Sequence, residues 1–411
     1  MKNSGIILTF FFGLWPSVQL WSYDVSLVGS LKHGGSLTRL PIIFTEMFKK
    51  DLKINFFSSE PKVKIDLTDL SSDMAQIALN PDKIPGNVAL LTEHLWYVWD
   101  TPAAYVPPSK IKLALSMLEA TKIPEKWVSI LNNQFDAVIV PDPFLIQVYT
   151  SCGVKIPIFC IPLGMFLDDF LERPVRKDPG SPFTFGISAY FCASKTKNQE
   201  LLLRAFQEEF GNDPKFRLKL HGRGGDTESL VKQIRETGAT NIEIIVKNLN
   251  QKQYVDFLCS LDCYALISKG EGFSITPREA LALGIPCILS KNTAHITICN
   301  SGYVKAVDSN ILEPADYRIH FRATCGNKFN CKIEDVRVAM REVYQNYHFF
   351  REKALQGREW VKQYDYRNLK SQYLSILKPH TVLLGEANSV KDGVLTTNSE
   401  LLYKKYLSLL H

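Results

Sequence analysis

Two glutamates eight positions apart, Glu271 and Glu279, enclose a glycine, a proline and the start of an apolar helix in "SKGEGFSITPREALALGIPCILS". Carboxylates accept hydrogen bonds from hydroxyls, Gly272 permits close approach to the backbone, and the amides of Phe273, Ser274 and Ile275 at a helix start suit an anion. A ligand carrying both a phosphate and hydroxyls would use all of these parts. Each group also has a plainer reading. Thr276 and Glu279 have the spacing of a capping box with Pro277 at the first helical position, so Glu279 is explained by helix capping as well as by a ligand. Glu271, in a loop beside glycine, is either a ligand contact or a solvated carboxylate.

These residues need a strand before them and a helix after them, and the chain supplies both repeatedly. "YDVSLVGSLKHGGSLTRLPIIFTEMFKKDL" reads as a strand from Asp24 to Ser30, a turn at Gly34 and Gly35, and an amphipathic helix from about Ser36. The runs "VKIDL", "NVALLT", "DAVIVP" and "KIPIFCIP" read as further strands, with "SKIKLALSMLEATKIP" and "PFLIQVYTSCG" as helix-like stretches between them. The charged, Pro- and Gly-rich "MFLDDFLERPVRKDPGSP" reads as a linker. Beyond it the alternation restarts at "FTFGISAY" and continues through "PCILS". The expected architecture is α/β: two Rossmann-like, doubly wound domains facing across a cleft. The boundaries are a leader over 1–22, an N-terminal domain over 23–170, a C-terminal domain over 171–362, and a C-terminal helix and tail over 363–411. The helical "VKQYDYRNLKSQYLSIL" is expected to pack back across the first domain.

A chain of 411 residues, 45% hydrophobic and 22% charged, is large enough for two such cores. Its net charge of +6 comes from scattered Lys and Arg with small clusters, such as Lys49, Lys50 and Lys53, and suits diphosphates or acidic lipid surfaces better than nucleic acid, for which no binding motif appears. Nine dispersed cysteines without a CxxC pair indicate reduced, buried thiols. Cys325 and Cys331 would bridge only in an oxidising compartment, which the rest of the set argues against. The apolar run Ile6 to Leu14 after Lys2 has the outline of a secretory signal or short anchor, although Leu20 and Trp21 make a poor cleavage site and no Asn-x-Ser/Thr acceptor occurs. The expected location is cytoplasmic, with contact at a membrane surface; an exported protein is the alternative. No Asp-x-Asp motif stands at a strand end, so no catalytic metal is expected.

"EGFSITPREALALGIPCILS" resembles the E-x7-E segment of the group 1 retaining glycosyltransferases of GT-B architecture. "FTFGISAYFCASKTKNQELLLRAFQEEF" is similar to that family's strand, lysine-bearing loop and helix, with Lys197 at the family lysine. "LVGSLKHGGSLTRL" resembles its amino-terminal Gly-rich loop, and the likeness extends over about 23–378. The resemblance implies transfer of a sugar, with retention, from a nucleoside-diphosphate donor to a carbohydrate or glycolipid hydroxyl. Glu279 would bind the donor ribose and Glu271 the donor sugar. Gly272 and the amides of Phe273, Ser274 and Ile275 would hold sugar and diphosphate, and Lys197 would neutralise the departing diphosphate. Gly34, Gly35 and Ser36 would close the donor site from the other domain. His94 would stand near the donor, and Glu119 and His33 near the acceptor; for each of these three a structural or solvated role is the alternative. Two departures stand out. The arginine usual before the lysine is absent from "YFCASKTK", so that either Lys195 substitutes for it or the diphosphate clamp is weaker, and Phe166 replaces the aspartate usual near the linker. A sugar-nucleotide epimerase, an exported sugar-binding protein of periplasmic type and a donor-binding relic without turnover are the competing readings.

Overall fold

Short apolar runs covered on both faces become strands, and they build two parallel six-stranded sheets. The computed structural model describes residues 23–31, 37–59, 65, 70–93, 95, 97, 98, 101, 102, 105–191, 195–225 and 227–377. The leader and the tail from 378 lie outside them.

The first domain runs β1 (Tyr23–Gly29), α1 (Leu40–Phe48), β2 (Ile54–Ser58), α2 (Ser72–Leu79), β3 (Gly86–Leu91), β4 (Ile111–Leu115), α3 (Glu125–Gln134), β5 (Ala137–Val140), α4 (Pro143–Ser151) and β6 (Ile158–Cys160). Its strand order is β2-β1-β3-β4-β5-β6. The second runs β7 (Phe183–Phe191), α5 (Gln199–Phe210), β8 (Phe216–Gly225), α6 (Thr227–Thr237), β9 (Ile242–Val246), α7 (Gln251–Cys259), β10 (Cys263–Leu266), α8 (Ile275–Ala282), β11 (Cys287–Lys291), α9 (His295–Asn300) and β12 (Lys305–Asp308). Its order, β9-β8-β7-β10-β11-β12, reverses between β7 and β10, which leaves a crevice at the carboxyl ends of those strands.

Several local expectations fail. "SKIKLALSMLEATKIP" is not helical: Ile111–Leu115 is the central strand β4, and the helix of this unit is α3, further on. A run this short satisfies both periods, and pairing with β3 and β5 decides it. The strand after α1 is Ile54–Ser58, "INFFS", while "VKIDL" falls outside the described residues apart from Ile65. An antiparallel hairpin, β13 (Ile311–Asp316) with β14 (Thr324–Asn330), follows β12 without any forecast in the sequence. After α10 (Ile333–Gln345), the last helical stretch is broken at Asp365, between α11 (Tyr347–Val361) and α12 (Tyr366–Leu377). Among the described residues the cysteines are free thiols, and Cys325 and Cys331 are not bridged.

Three features fix the domains against each other. Helix α12 crosses back onto the first domain, with the Tyr373 ring edge-on to Phe44 of α1 at 4.9 Å and its hydroxyl donating to the Pro162 carbonyl at 2.9 Å. At the two chain crossings, the Met165 amide donates to the Tyr364 carbonyl at 2.9 Å and the Tyr366 amide to the Met165 carbonyl at 3.1 Å. On the far side the hairpin reaches the first domain: the Asn327 amide donates to Thr121 Oγ1 at 2.8 Å, and the Phe321 ring meets Trp127 edge-on at 5.1 Å.

Candidate active site

The site forms where β10 ends, at the loop 268–274 and the start of α8. Glycine is required here, but for contact with the first domain. A Cβ on Gly270 would lie 2.2 Å from the Glu119 carbonyl oxygen, and one on Gly272 would lie 2.8 Å from Met117 Cγ. The close approach expected at Gly272 is therefore made by a methionine of the facing domain. It seats Glu119 directly against the loop that carries Glu271. The Glu119 carboxylate accepts from the Tyr317 hydroxyl of the hairpin at 3.0 Å.

Helix α8 begins at Ile275, and its N-cap Ser274 has φ 66° with no side-chain cap bond. This overturns the capping box. Glu279 becomes the fifth helical residue, too far along to reach back to the cap amide, while Pro277 still falls in the first turn, where no intrahelical bond is lost. The buried Glu279 carboxylate is used otherwise: Oε2 accepts from the Tyr254 hydroxyl at 2.6 Å and Oε1 from Arg39 of the first domain at 3.1 Å. Thr276, the expected cap, accepts from the Tyr264 hydroxyl at 2.7 Å.

Glu271 is also buried and pairs with Lys197 at 2.6 Å. Its amide donates to Thr293 Oγ1 at 2.8 Å, and its carbonyl accepts from Ala294 at 3.3 Å. Lys195 does not join them. Its ammonium pairs with Glu200 at 2.9 Å and its side chain is 58% exposed.

Behind the loop, His295 is fully buried. Its Nδ1 meets the Ser290 carbonyl at 3.0 Å, so Nδ1 carries the proton and Nε2 accepts from the Ser274 hydroxyl at 2.8 Å. Burial, with the nearby Lys197 charge adding, holds this imidazole down at about 3, so it stays neutral. Arg278, also fully buried, donates from Nη1 to the Phe273 and Ser274 carbonyls and lies against the Phe273 ring at 4.0 Å and the Tyr364 ring at 4.5 Å.

Asp142 caps α4 at the end of β5, accepting from the Phe144 amide at 3.3 Å. Burial pushes its carboxyl up to about 6, against a pull downward from Arg278. The group binds its proton more readily folded than unfolded, so stability falls as pH rises from 3.8 to about 6 and is flat beyond. Asp142→Asn keeps the cap and removes the buried charge. Thermal unfolding should show it stabilised by about 2 kcal/mol at pH 8 and unchanged at pH 4; a loss at pH 8 would refute this.

His33, Gly34, Gly35, Ser36 and His94 lie outside the described residues. Arg39, Tyr254, Arg278, Thr293 and His295 escaped the sequence reading. Only an arginine within an otherwise apolar helix start, and a histidine shortly after a strand, gave any signal. Among the described residues no three His, Cys, Asp or Glu side chains group to hold a metal ion, and no helix is long and apolar enough to cross a membrane.

Two parallel α/β domains closing on a strand–loop–helix junction with paired carboxylates define the GT-B architecture. Residues 190–308, within the second domain, match the family model of the glycosyl transferases group 1. Among solved structures it is similar to sucrose-phosphate synthase from Thermosynechococcus elongatus, 13% identical with a TM-score of 0.61 over 87% of this chain and 98% of that one. It is also similar to Anabaena Alr3699/HepE in complex with UDP-glucose, 12% identical with a TM-score of 0.59 over 86% and 99%. Both are likenesses of fold. In sequence it is 28% identical over 157 residues to the GtfA subunit of a UDP-N-acetylglucosamine–peptide N-acetylglucosaminyltransferase of Streptococcus gordonii. That match takes in 37% of this chain and 29% of the relative's length.

Proposed function

We propose that this glycosyltransferase moves a sugar, with retention, from a nucleoside-diphosphate donor to a hydroxyl of a glycan or lipid-linked glycan, without a metal. The observation that carries the reading is the pair of buried carboxylates, Glu271 and Glu279, on one strand–loop–helix junction with Lys197 2.6 Å from the first. Burying charge is costly even when it is paired, and two such carboxylates where an α/β sheet opens its crevice are better explained by hydroxyl ligands than by packing.

In this reading Glu279 accepts the ribose hydroxyls and Glu271 accepts hydroxyls of the donor sugar. The amides of Phe273, Ser274 and Ile275 take the diphosphate with Lys197. As the glycosidic bond breaks, charge grows on the leaving diphosphate, and a lysine already in place stabilises it without reorganisation. The acceptor hydroxyl attacks from the face the diphosphate leaves and gives its proton to the departing phosphate oxygen. Glu119, which accepts from Tyr317, binds the acceptor in this reading; the roles proposed for Gly34, Gly35, Ser36, His33 and His94 rest on the family resemblance. Donor supply favours a cytoplasmic location, and the surplus of Lys and Arg favours contact with an anionic membrane surface. Relatives named for UDP sugars make UDP-glucose and UDP-N-acetylglucosamine the first donors to try.

The test is a panel of UDP-, GDP- and ADP-sugars, scored for binding and for release of nucleoside diphosphate with and without candidate acceptors. Binding with release supports the transferase. Binding without release would favour the donor-binding relic, a reading given weight by the absent arginine. No binding of any nucleotide sugar would sink the proposal.

A further inference from the structure

We propose that Arg278 is a positioning residue of the donor loop: from inside the fold it fixes the peptide planes that present the Ser274 and Ile275 amides to the diphosphate. The inference rests on the donor reading above and adds a role for a side chain that never touches the ligand.

Arg278 is 0% exposed, and among the described residues no carboxylate stands within ion-pair distance of it. Its Nη1 donates to two successive carbonyls, of Phe273 and Ser274, and its guanidinium lies against the rings of Phe273 and Tyr364, which meet edge-on beside it. Its Nε and Nη2 are buried without a hydrogen-bond partner. A guanidinium in this state is a poor choice for stability, because two carbonyl bonds and the neighbouring rings offset its desolvation only in part and an apolar side chain of similar length would pack there at less cost. Buried unpaired polar groups of this kind call for a reason other than packing.

The reason lies in the peptide geometry. In a trans peptide the carbonyl and the amide of one plane point in opposite directions. Drawing the Phe273 carbonyl onto Arg278 turns the Ser274 amide to the opposite side, and drawing the Ser274 carbonyl there does the same for Ile275. Two successive carbonyls converge on one nitrogen because Ser274 sits at φ 66°. That left-handed conformation is unfavourable for a residue with a Cβ, and it persists where its surroundings enforce it. His295, holding the Ser274 hydroxyl at 2.8 Å, is the second restraint. The outcome is a pair of neighbouring amides on one face at a helix start, a concavity suited to an anion. Tyr364 carries the restraint further, because its carbonyl accepts from Met165 at the chain crossing between the domains. The donor loop is thereby braced on that crossing.

Arg278→Met and Arg278→Lys in the full chain test this, with titration of UDP, UMP, GDP, GMP, ADP and AMP and with thermal unfolding. Arg278→Met should melt no lower than the wild type, lose about tenfold in affinity for the nucleoside diphosphate that the wild type binds, and keep its affinity for the matching monophosphate within about twofold. Arg278→Lys retains a donor for the carbonyls and should recover part of the loss. Unchanged diphosphate affinity, or equal weakening of mono- and diphosphate, overturns the proposal. If the methionine variant does not fold, the same diphosphate-to-monophosphate ratio is read on the lysine variant, where an unchanged ratio overturns it. A wild type that binds no nucleotide sinks the donor reading first and this inference with it.

Discussion

Glu279→Gln should weaken nucleoside-diphosphate binding by about 30- to 100-fold, the loss expected when hydroxyls exchange a buried ionised acceptor for a neutral one at about 2–3 kcal/mol. Glutamine preserves volume and leaves an oxygen for Tyr254, so the variant should fold. What it removes is the charge shared between Arg39 and the incoming ribose. Arg39 holds Oε1 at 3.1 Å across the domain boundary, so a ribose that takes this oxygen shares it with Arg39. Tyr254 is fully buried, and burial with the adjacent Glu279 charge pushes its hydroxyl far above the ordinary range, so it remains a donor throughout. Titration with ribo- and 2′,3′-dideoxynucleoside diphosphates separates this from general damage. The wild type should prefer the ribo form strongly and Glu279→Gln hardly at all. Equal preference in both proteins would remove Glu279 from the ribose site.

Lys197→Met should lower kcat for sugar transfer by about 10²- to 10³-fold while changing donor affinity by about tenfold or less. The distinction follows from when the charge appears. A bound diphosphate is already negative and is held in part by loop amides, but bond cleavage adds charge that only a cation in place can meet. In the free protein the lysine is engaged by Glu271, and removing it strands a carboxylate whose side chain is 6% exposed. Part of the penalty in Lys197→Met therefore belongs to Glu271, and the double variant with Glu271→Gln should bind donor better than Lys197→Met alone. Steady-state kinetics together with donor titration read both quantities. A kcat within about threefold of the wild type would show that Lys197 does not stabilise the leaving group.

The alternation of short apolar runs with amphipathic stretches was enough to indicate two parallel sheets, because each βαβ unit advertises itself within about 30 residues. The loop at Glu271 could be located for the same reason: a strand, a glycine loop and a helix start are adjacent in the chain. Where one segment met another, local pattern misled. Ile111–Leu115 suits a helix until its neighbours in the sheet take its backbone bonds. The Thr276–Glu279 capping box was sound on spacing alone and lost to a helix that starts earlier, because the Ser274 conformation is fixed by Arg278 and His295.

The sequence by itself determined the fold class and the strand–loop–helix junction that carries Glu271 and Glu279, while Lys197 was singled out by the family resemblance. Fold class and junction are properties of contiguous residues and of the periods that helices and strands impose. The tertiary structure decided which groups those residues meet. Arg39 comes from 240 positions away to Glu279, Glu271 finds Lys197 across 74 positions, and Gly270 and Gly272 turn out to serve Glu119 and Met117 of the facing domain. No period or spacing encodes such meetings. They arise because two sheets bury their faces independently and then close on one another, and the partners of a buried charge are whatever that closure brings within about 3 Å.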